Sequence, residues 1–313
     1  MLVCLQQYTL GRALQAGDTL GIVAPSAPLD ETRFQAGLSF LHSLGLRTRC
    51  GRSVQERWGY LAGTDDVRAQ DINEFFADPA IDGILCMRGG YGAARLLPLL
   101  DFDDIARHPK LFIGFSDITA LHTALRQRSH LATIHGAMLT GLGGKATRYT
   151  YEQFAEGLAN PAMAGPVRMP RGHHLETLVE GEVQGILAGG NMMLISSLIG
   201  TPYELDGQGQ ILFLEEIGEE AYSIDRMLCQ FEQSGLIDRI AGLAFGEFTR
   251  CHPVKPAEGE WTVREVIGQY VRRWGKPAIW GLPYGHDRHN GWLPLGMPAH
   301  LIAGKEDASL VLG

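Results

Sequence analysis

The chain has 313 residues, 45% of them hydrophobic and 20% charged, the composition of a globular protein long enough for two domains. Its formal net charge is −8 and no basic run stands out, which argues against nucleic acid and anionic membrane as partners. Five cysteines (Cys4, Cys50, Cys86, Cys229, Cys251) are scattered, odd in number and form no C-x-x-C pair, the pattern of reduced thiols in a cytoplasmic protein rather than of a disulfide framework or a zinc site.

The opening segment Met1–Gln7 has neither a basic n-region nor a long apolar core, so it does not read as a signal peptide. Thr19–Ala24 predicts a buried strand that ends at Pro25-Ser26-Ala27-Pro28, and Leu29–Leu44 predicts a helix through Phe34, Leu38 and Leu41. Leu46–Cys50 is a second strand. Thr64–Phe76 is a helix with Asp65 and Asp66 in its first turn, where carboxylates suit the dipole. Gly83–Met87 is a third strand, followed by Arg88-Gly89-Gly90-Tyr91-Gly92 and a helix through Leu96, Leu97 and Leu100. Leu111–Phe115 is a strand that stops at Ser116. Strands alternating with helices predict parallel pairing with helices on both faces, and a site beyond the carboxyl ends of the strands. Three loops are expected there: Pro25–Pro28, Arg88–Gly92 and Gly114–Asp117.

Residues 141–171 are rich in Gly, Pro, Ala and polar side chains, with a weak helical pattern over Tyr151–Leu158. The expected division is an N-terminal α/β domain over 1–145, a linker over 146–178 and a C-terminal domain over 179–313. In the last of these, Val183–Leu187, Ile211–Glu215 and Ile240–Phe245 predict strands, while Asn191–Ile199, Ser223–Gln233 and Val263–Trp274 predict helices. Glycine-punctuated segments follow to the end. The most apolar stretch, Gly185–Gly200, is interrupted by Asn191, Ser196 and Ser197 and is shorter than the ~20 residues that span a bilayer.

Chemistry concentrates in four places. In Gly114-Phe115-Ser116-Asp117 a serine stands where an apolar strand gives way to a helix, the setting of an acyl-transfer nucleophile. The G-x-S-x-G elbow is incomplete, because Ile118 takes the second glycine position, and the other reading of Ser116 is a helix cap. Glu215 and Glu216 end an apolar strand. Strand neighbours face opposite ways, so only one of them serves a given site, and spacing does not say which. Gly285-His286-Asp287-Arg288-His289 places two histidines in a loop. A lone H-x-x-H supplies too few ligands for zinc, so no metal is expected. His135 competes as a base, and His173 and His174 read as linker residues. The order Ser…Glu…His is one in which acyl-transfer triads occur, with serine as nucleophile, histidine as base and carboxylate as its orienter. In that setting Arg88–Gly92 supplies an oxyanion hole, with the N–H groups of Gly90 and Asp117 as donors; its other reading is an anion nest.

These segments, together with Gly189-Gly190-Asn191, Leu198-Ile199-Gly200-Thr201-Pro202, Phe213-Leu214-Glu215-Glu216 and Ile224-Asp225-Arg226-Met227-Leu228, resemble the LD-carboxypeptidases, the S66 serine peptidases of bacteria. The resemblance runs from about Gly21 to Met297 and implies a flavodoxin-like N-terminal domain, a smaller β-rich α/β C-terminal domain, and catalytic residues drawn from both. It implies Ser116 as nucleophile, Glu215 as orienting carboxylate and His286 as base. One departure is Glu216, where the family often has Asp. It also implies a substrate, the murein tetrapeptide recovered in cell-wall recycling, cut between meso-diaminopimelate and the terminal D-Ala, without a cofactor, in the cytoplasm and by a homodimer. Arg88, Gly89 and Tyr91 are then substrate-binding candidates, Arg88 for the D-Ala carboxylate or else as a structural ion-pair partner. Two alternatives stay open: a hydrolase of peptidyl-nucleotide antibiotics from the same family, and a non-catalytic two-domain ligand binder.

Overall fold

A computed structural model describes residues 8–28, 31–144, 146–252, 259–305 and 307–313. Leu29 and the opening segment Met1–Gln7 lie outside them. The described residues form two compact units, 8–163 with 290–296, and 164–289 with 297–313.

The first unit contains strands β1 (Thr9–Leu10), β2 (Thr19–Val23), β3 (Arg47–Cys50), β4 (Gly83–Cys86), β5 (Leu111–Gly114) and β6 (Leu131–His135). Its helices are α1 (Glu31–Ser43), α2 (Asp65–Ala77), α3 (Phe102–Arg107), α4 (Thr119–Ser129), α5 (Leu139–Leu142) and α6 (Arg148–Ala159). The sheet runs β1-β6-β5-β4-β2-β3, and β2 to β6 pair in parallel. Counting from β2, that is the doubly wound flavodoxin order 2-1-3-4-5. β4 and β5 are buried at every position, so their sequences Gly-Ile-Leu-Cys and Leu-Phe-Ile-Gly are continuous rather than alternating apolar runs. Thr64 caps α2 by accepting from the Val67 N–H. Two expectations change here. Ala93–Leu99 is a 3-10 turn rather than an α-helix: it contains Pro98, which has no N–H for an α-helical bond. Part of the stretch read as a linker is helix α6, which buries Tyr149, Phe154 and Leu158.

The second unit contains β7 (Gly165–Pro166), β8 (Glu176–Val179), β9 (Gly181–Asn191), β10 (Gln210–Ile217), β11 (Gly242–Thr249) and β12 (Ala278–Trp280), with helices α7 (Met192–Leu198), α8 (Ala221–Gln233), α9 (Leu236–Arg239) and α10 (Val263–Trp274). β13 (Leu293–Leu295) returns to the first unit, pairing antiparallel with β6, while β14 (Pro298–Ala303) and β15 (Ala308–Leu312) complete the second sheet. That sheet runs β7-β15-β14-β9-β10-β11-β12-β8, with β9 to β12 parallel. α8 buries Ile224, Met227, Leu228 and Phe231, a helical i, i+3, i+4, i+7 face. α10 opens on a Thr262–Glu265 capping box and ends at Gly275 in the left-handed conformation. β12 to β15 occupy the segment read only as glycine-punctuated.

The segment behind β13 has its own anchor. Trp292 is buried in the first unit's core with Phe154 and Leu158, and its Nε1–H donates to the Pro161 carbonyl at 2.9 Å. Among the described residues no helix is long and apolar enough to cross a membrane, and the four described cysteines form no disulfide.

Candidate active site

Ser116 follows β5 and opens a single 3-10 turn, Ser116–Ile118, before α4 begins at Thr119. Its φ is +65°, in the left-handed region that a non-glycine residue rarely occupies. Holding it there costs about 1–3 kcal/mol, a strain that recurs at functional turns. The capping positions are Phe115 for the turn and Ile118 for the helix, so Ser116 is not the cap of either. Beneath it, the Gly114 carbonyl accepts from the Gly136 N–H at 3.0 Å and from His122 Nε2 at 2.9 Å. His122 is fully buried, and burial first, with the Arg126 charge second, holds its pKa down to about 4. It is a neutral imidazole pinning the end of β5.

The structure brings the three expected loops together. Ser26 Oγ–H donates to Asp117 Oδ2 at 2.6 Å, and the Ala93 N–H donates to the same oxygen at 2.8 Å. Burial pushes the Asp117 carboxyl above its ordinary range, against these bonds. A side-chain carbon on Gly89 would stand 3.1 Å from Ser116 Oγ, so the loop backbone runs directly over the serine. Gly90 has φ +131°, which glycine alone adopts without strain. Arg88 donates from Nη1 to the Pro28 carbonyl at 3.1 Å and from Nε to the Gly89 carbonyl at 3.3 Å. Tyr91 is exposed and meets Tyr60 edge-on at 5.7 Å. His135 is buried at the end of β6 against Phe115, 5.6 Å between ring centroids.

In the second unit, β10 carries Glu215 and Glu216 to opposite duties. Glu215 is fully buried, and its Oε2 lies 2.7 Å from His286 Nδ1. A carboxylate only accepts, so Nδ1 carries the hydrogen and Nε2 is left as the basic nitrogen. Glu216 turns to the start of α7: Oε1 accepts from Asn191 Nδ2 at 2.9 Å and from the Ile217 N–H at 2.8 Å, Oε2 from the Met193 N–H at 2.7 Å. Burial raises its pKa to about 7. Gly285, at φ +136°, precedes His286, and a side-chain carbon there would lie 2.9 Å from Glu215 Oε2. Glu247, next along this edge, is also raised to about 7, by burial and then by the Asp287 charge. The two loop histidines part company: His289 stacks edge-on with His173 at 4.9 Å. Among the described residues there is no group of three or more His, Cys, Asp or Glu side chains placed to hold a metal ion.

Two residues escaped the sequence reading. Ser26 lies in a loop that was located without assigning it a role. Arg68 sits on the buried face of α2 and donates to the carbonyls of Pro25 and Gly92 while pairing with Asp65. An arginine among the apolar positions of a helix is a signal, but it does not say what the arginine reaches.

Comparison with known proteins identifies the family. Family models for the LD-carboxypeptidase N-terminal and C-terminal domains match residues 20–136 and 184–301. A probable murein peptide carboxypeptidase of Bacillus subtilis is 38% identical, covering 96% of this chain and 94% of its own. The murein tetrapeptide carboxypeptidase of Pseudomonas aeruginosa is 34% identical, covering 90% and 92%. A crystal structure of an MccF-like protein from Bacillus anthracis superposes with a TM-score of 0.86 at 26% identity, covering 97% of this chain and 99% of that one. With a strand–turn–helix serine in one unit, a buried Glu–His pair in the other and both family domains matched, the chain belongs to the LD-carboxypeptidases, the S66 serine peptidases.

Proposed function

We propose that this protein is a serine carboxypeptidase that removes the terminal D-Ala from murein tetrapeptides, cutting the amide that joins it to the L-centre of meso-diaminopimelate. The observation that carries the reading is the buried Glu215–His286 hydrogen bond, which leaves one imidazole nitrogen basic and oriented. Ser116 Oγ attacks the carbonyl carbon while His286 Nε2 takes its proton. The N–H groups of Gly90 and Asp117 receive the oxyanion. His286 then returns the proton to the departing D-Ala nitrogen as the C–N bond breaks. Water, deprotonated by the same nitrogen, releases the acyl group and restores Ser116. Arg88, Gly89 and Tyr91 belong to the loop that receives the peptide end, with the Arg88 guanidinium suited to a terminal carboxylate. The relatives that act on murein peptides support this substrate. The reading includes a cytoplasmic location, where recovered murein peptides are processed, and a homodimeric state, which cell fractionation and sedimentation test.

The decisive experiment incubates the protein with murein tetrapeptide and measures free D-Ala by mass spectrometry, with a peptidyl-nucleotide substrate in parallel. Release of D-Ala, with the nucleotide conjugate cleaved slowly or not at all, is the expected result. Preferential cleavage of the conjugate selects the second reading. A folded protein that cleaves neither and does not react with a fluorophosphonate is a binder.

A further inference from the structure

A loop of glycines is entropically expensive to hold in one conformation, and catalysis by backbone N–H groups needs it held. In this protein the holding is done from outside the loop. The Asp117 carboxylate is 2% exposed and gathers two donors from two other loops onto Oδ2, the Ser26 hydroxyl and the Ala93 N–H. Arg68, whose side chain is fully buried, grips the same two loops by their carbonyls, Pro25 one residue before Ser26 and Gly92 one residue before Ala93. Asp65, its ion-pair partner, is itself held by Arg95 at 2.8 Å. Each loop is thus tied twice, once to an anion and once to a cation. The fit leaves no slack. A side-chain carbon at Gly90 would lie 2.8 Å from Ala27 Cβ, and one at Gly92 would lie 2.5 Å from Leu61 Cδ2.

Buried charges are costly, and apolar residues of similar volume stabilise a fold as well or better. Keeping an ionic arrangement at this junction makes sense where it fixes geometry, since charge-assisted hydrogen bonds are short and directional. We propose that the Asp117 carboxylate, with Ser26 and Arg68, is a positioning device for acyl transfer, setting the Arg88–Gly92 loop against Ser116 so that its N–H groups meet the oxyanion. This rests on Ser116 being the nucleophile. It is separate from the role of the Asp117 N–H, which belongs to the backbone and survives substitution of the side chain.

The test compares Asp117→Asn and Ser26→Ala with the wild type, using D-Ala release from murein tetrapeptide and counting active sites by stoichiometric fluorophosphonate labelling. A group that only stabilises the fold lowers the number of labelled sites. A positioning group lowers kcat per labelled site. The expected result is a fall in kcat per site of about 10²-fold or more for Asp117→Asn, the size of losing one oxyanion donor, and about tenfold for Ser26→Ala, with KM moving less than about threefold. Wild-type kcat per site in both variants, or in Ser26→Ala alone should Asp117→Asn fail to fold, overturns the proposal. Failure of the wild type to label at Ser116 is a different result: it removes the nucleophile, and the device with it.

Discussion

The Glu215 and Glu216 carboxylates offer a paired test, because one strand sends them to different work. Glu215→Gln keeps the shape but puts a neutral amide where Oε2 now accepts from His286 Nδ1 at 2.7 Å. The amide nitrogen is a donor, so the pairing that fixes the imidazole tautomer is lost in half of the amide orientations and its charge support in all of them. In a Ser–His–carboxylate triad the corresponding amide lowers kcat by about 10⁴, or about 5.5 kcal/mol in the barrier. Glu216→Gln leaves that bond intact. It sets an amide against the three donors from Asn191, Met193 and Ile217, at a cost of about 1–3 kcal/mol of stability. Its second signature is pH. The folded Glu216 holds its proton up to about 7 against an ordinary 4.5. The folded state therefore binds more protons in that window, giving stability that is present below 4.5 and lost as pH rises through 7, up to about 3 kcal/mol in all. The glutamine cannot titrate, so the stability of the wild type relative to Glu216→Gln should decline across this window. Steady-state D-Ala release and urea unfolding at several pH values on both variants read the two effects. Loss of kcat in Glu216→Gln to match that in Glu215→Gln, or a Glu215→Gln enzyme within tenfold of wild type, refutes the assignment.

Ser116→Ala should lower D-Ala release by about 10⁴–10⁶-fold with the fold retained by circular dichroism, and near-normal turnover in an uncontaminated preparation removes Ser116 from the chemistry. Gly285→Ala forces an L side chain into φ +136° and sets its carbon 2.9 Å from Glu215 Oε2, so kcat should fall by about 10²-fold or more; wild-type kcat would show that the His286 loop adapts. His122, held at about 4 against an ordinary 6.5, takes up its proton more readily unfolded than folded, so acidification from 6.5 to 4 should cost about 3 kcal/mol that His122→Gln does not lose, measured as the difference between the two urea profiles. Dialysis against EDTA should leave the rate of D-Ala release unchanged, and chelator-sensitive activity with stoichiometric zinc by metal analysis would contradict the serine mechanism.

The parallel half of the fold was legible because buried parallel strands are written as unbroken apolar runs, and Leu111–Gly114 is one of them. The position of Ser116 between strand and helix was legible for the same reason: the run stops at a glycine and a helix pattern follows. The choice between Glu215 and Glu216 was not, since alternation says only that they part, and the family resemblance had to make it. The last four strands were missed because each is bounded by glycine or proline, and two of them have only three residues. In β14 the alternation of Pro298–Ala303 holds only three buried positions. Arg68 and Ser26 were missed for a different reason. The loop groups they hold lie 24 to 91 positions away along the chain, and no local pattern records them.

The return of Trp292 to the first unit sets a condition on biosynthesis. Strands β1 to β6 and helix α6 have all left the ribosome well before residues 290–296 are made. At ~5–20 residues per second the intervening stretch takes on the order of ten seconds. Through that interval the slot that receives the indole, walled by Phe154 and Leu158 and shaped by Gly157, has no plug. β6 likewise waits for its antiparallel neighbour Leu293–Leu295. A nascent chain stalled after α6 has emerged but before that point carries a nearly finished flavodoxin sheet with an open apolar seam, the kind of surface a chaperone binds or a protease finds. Quality control of the domain that carries Ser116 is thereby tied to completion of the chain that carries His286.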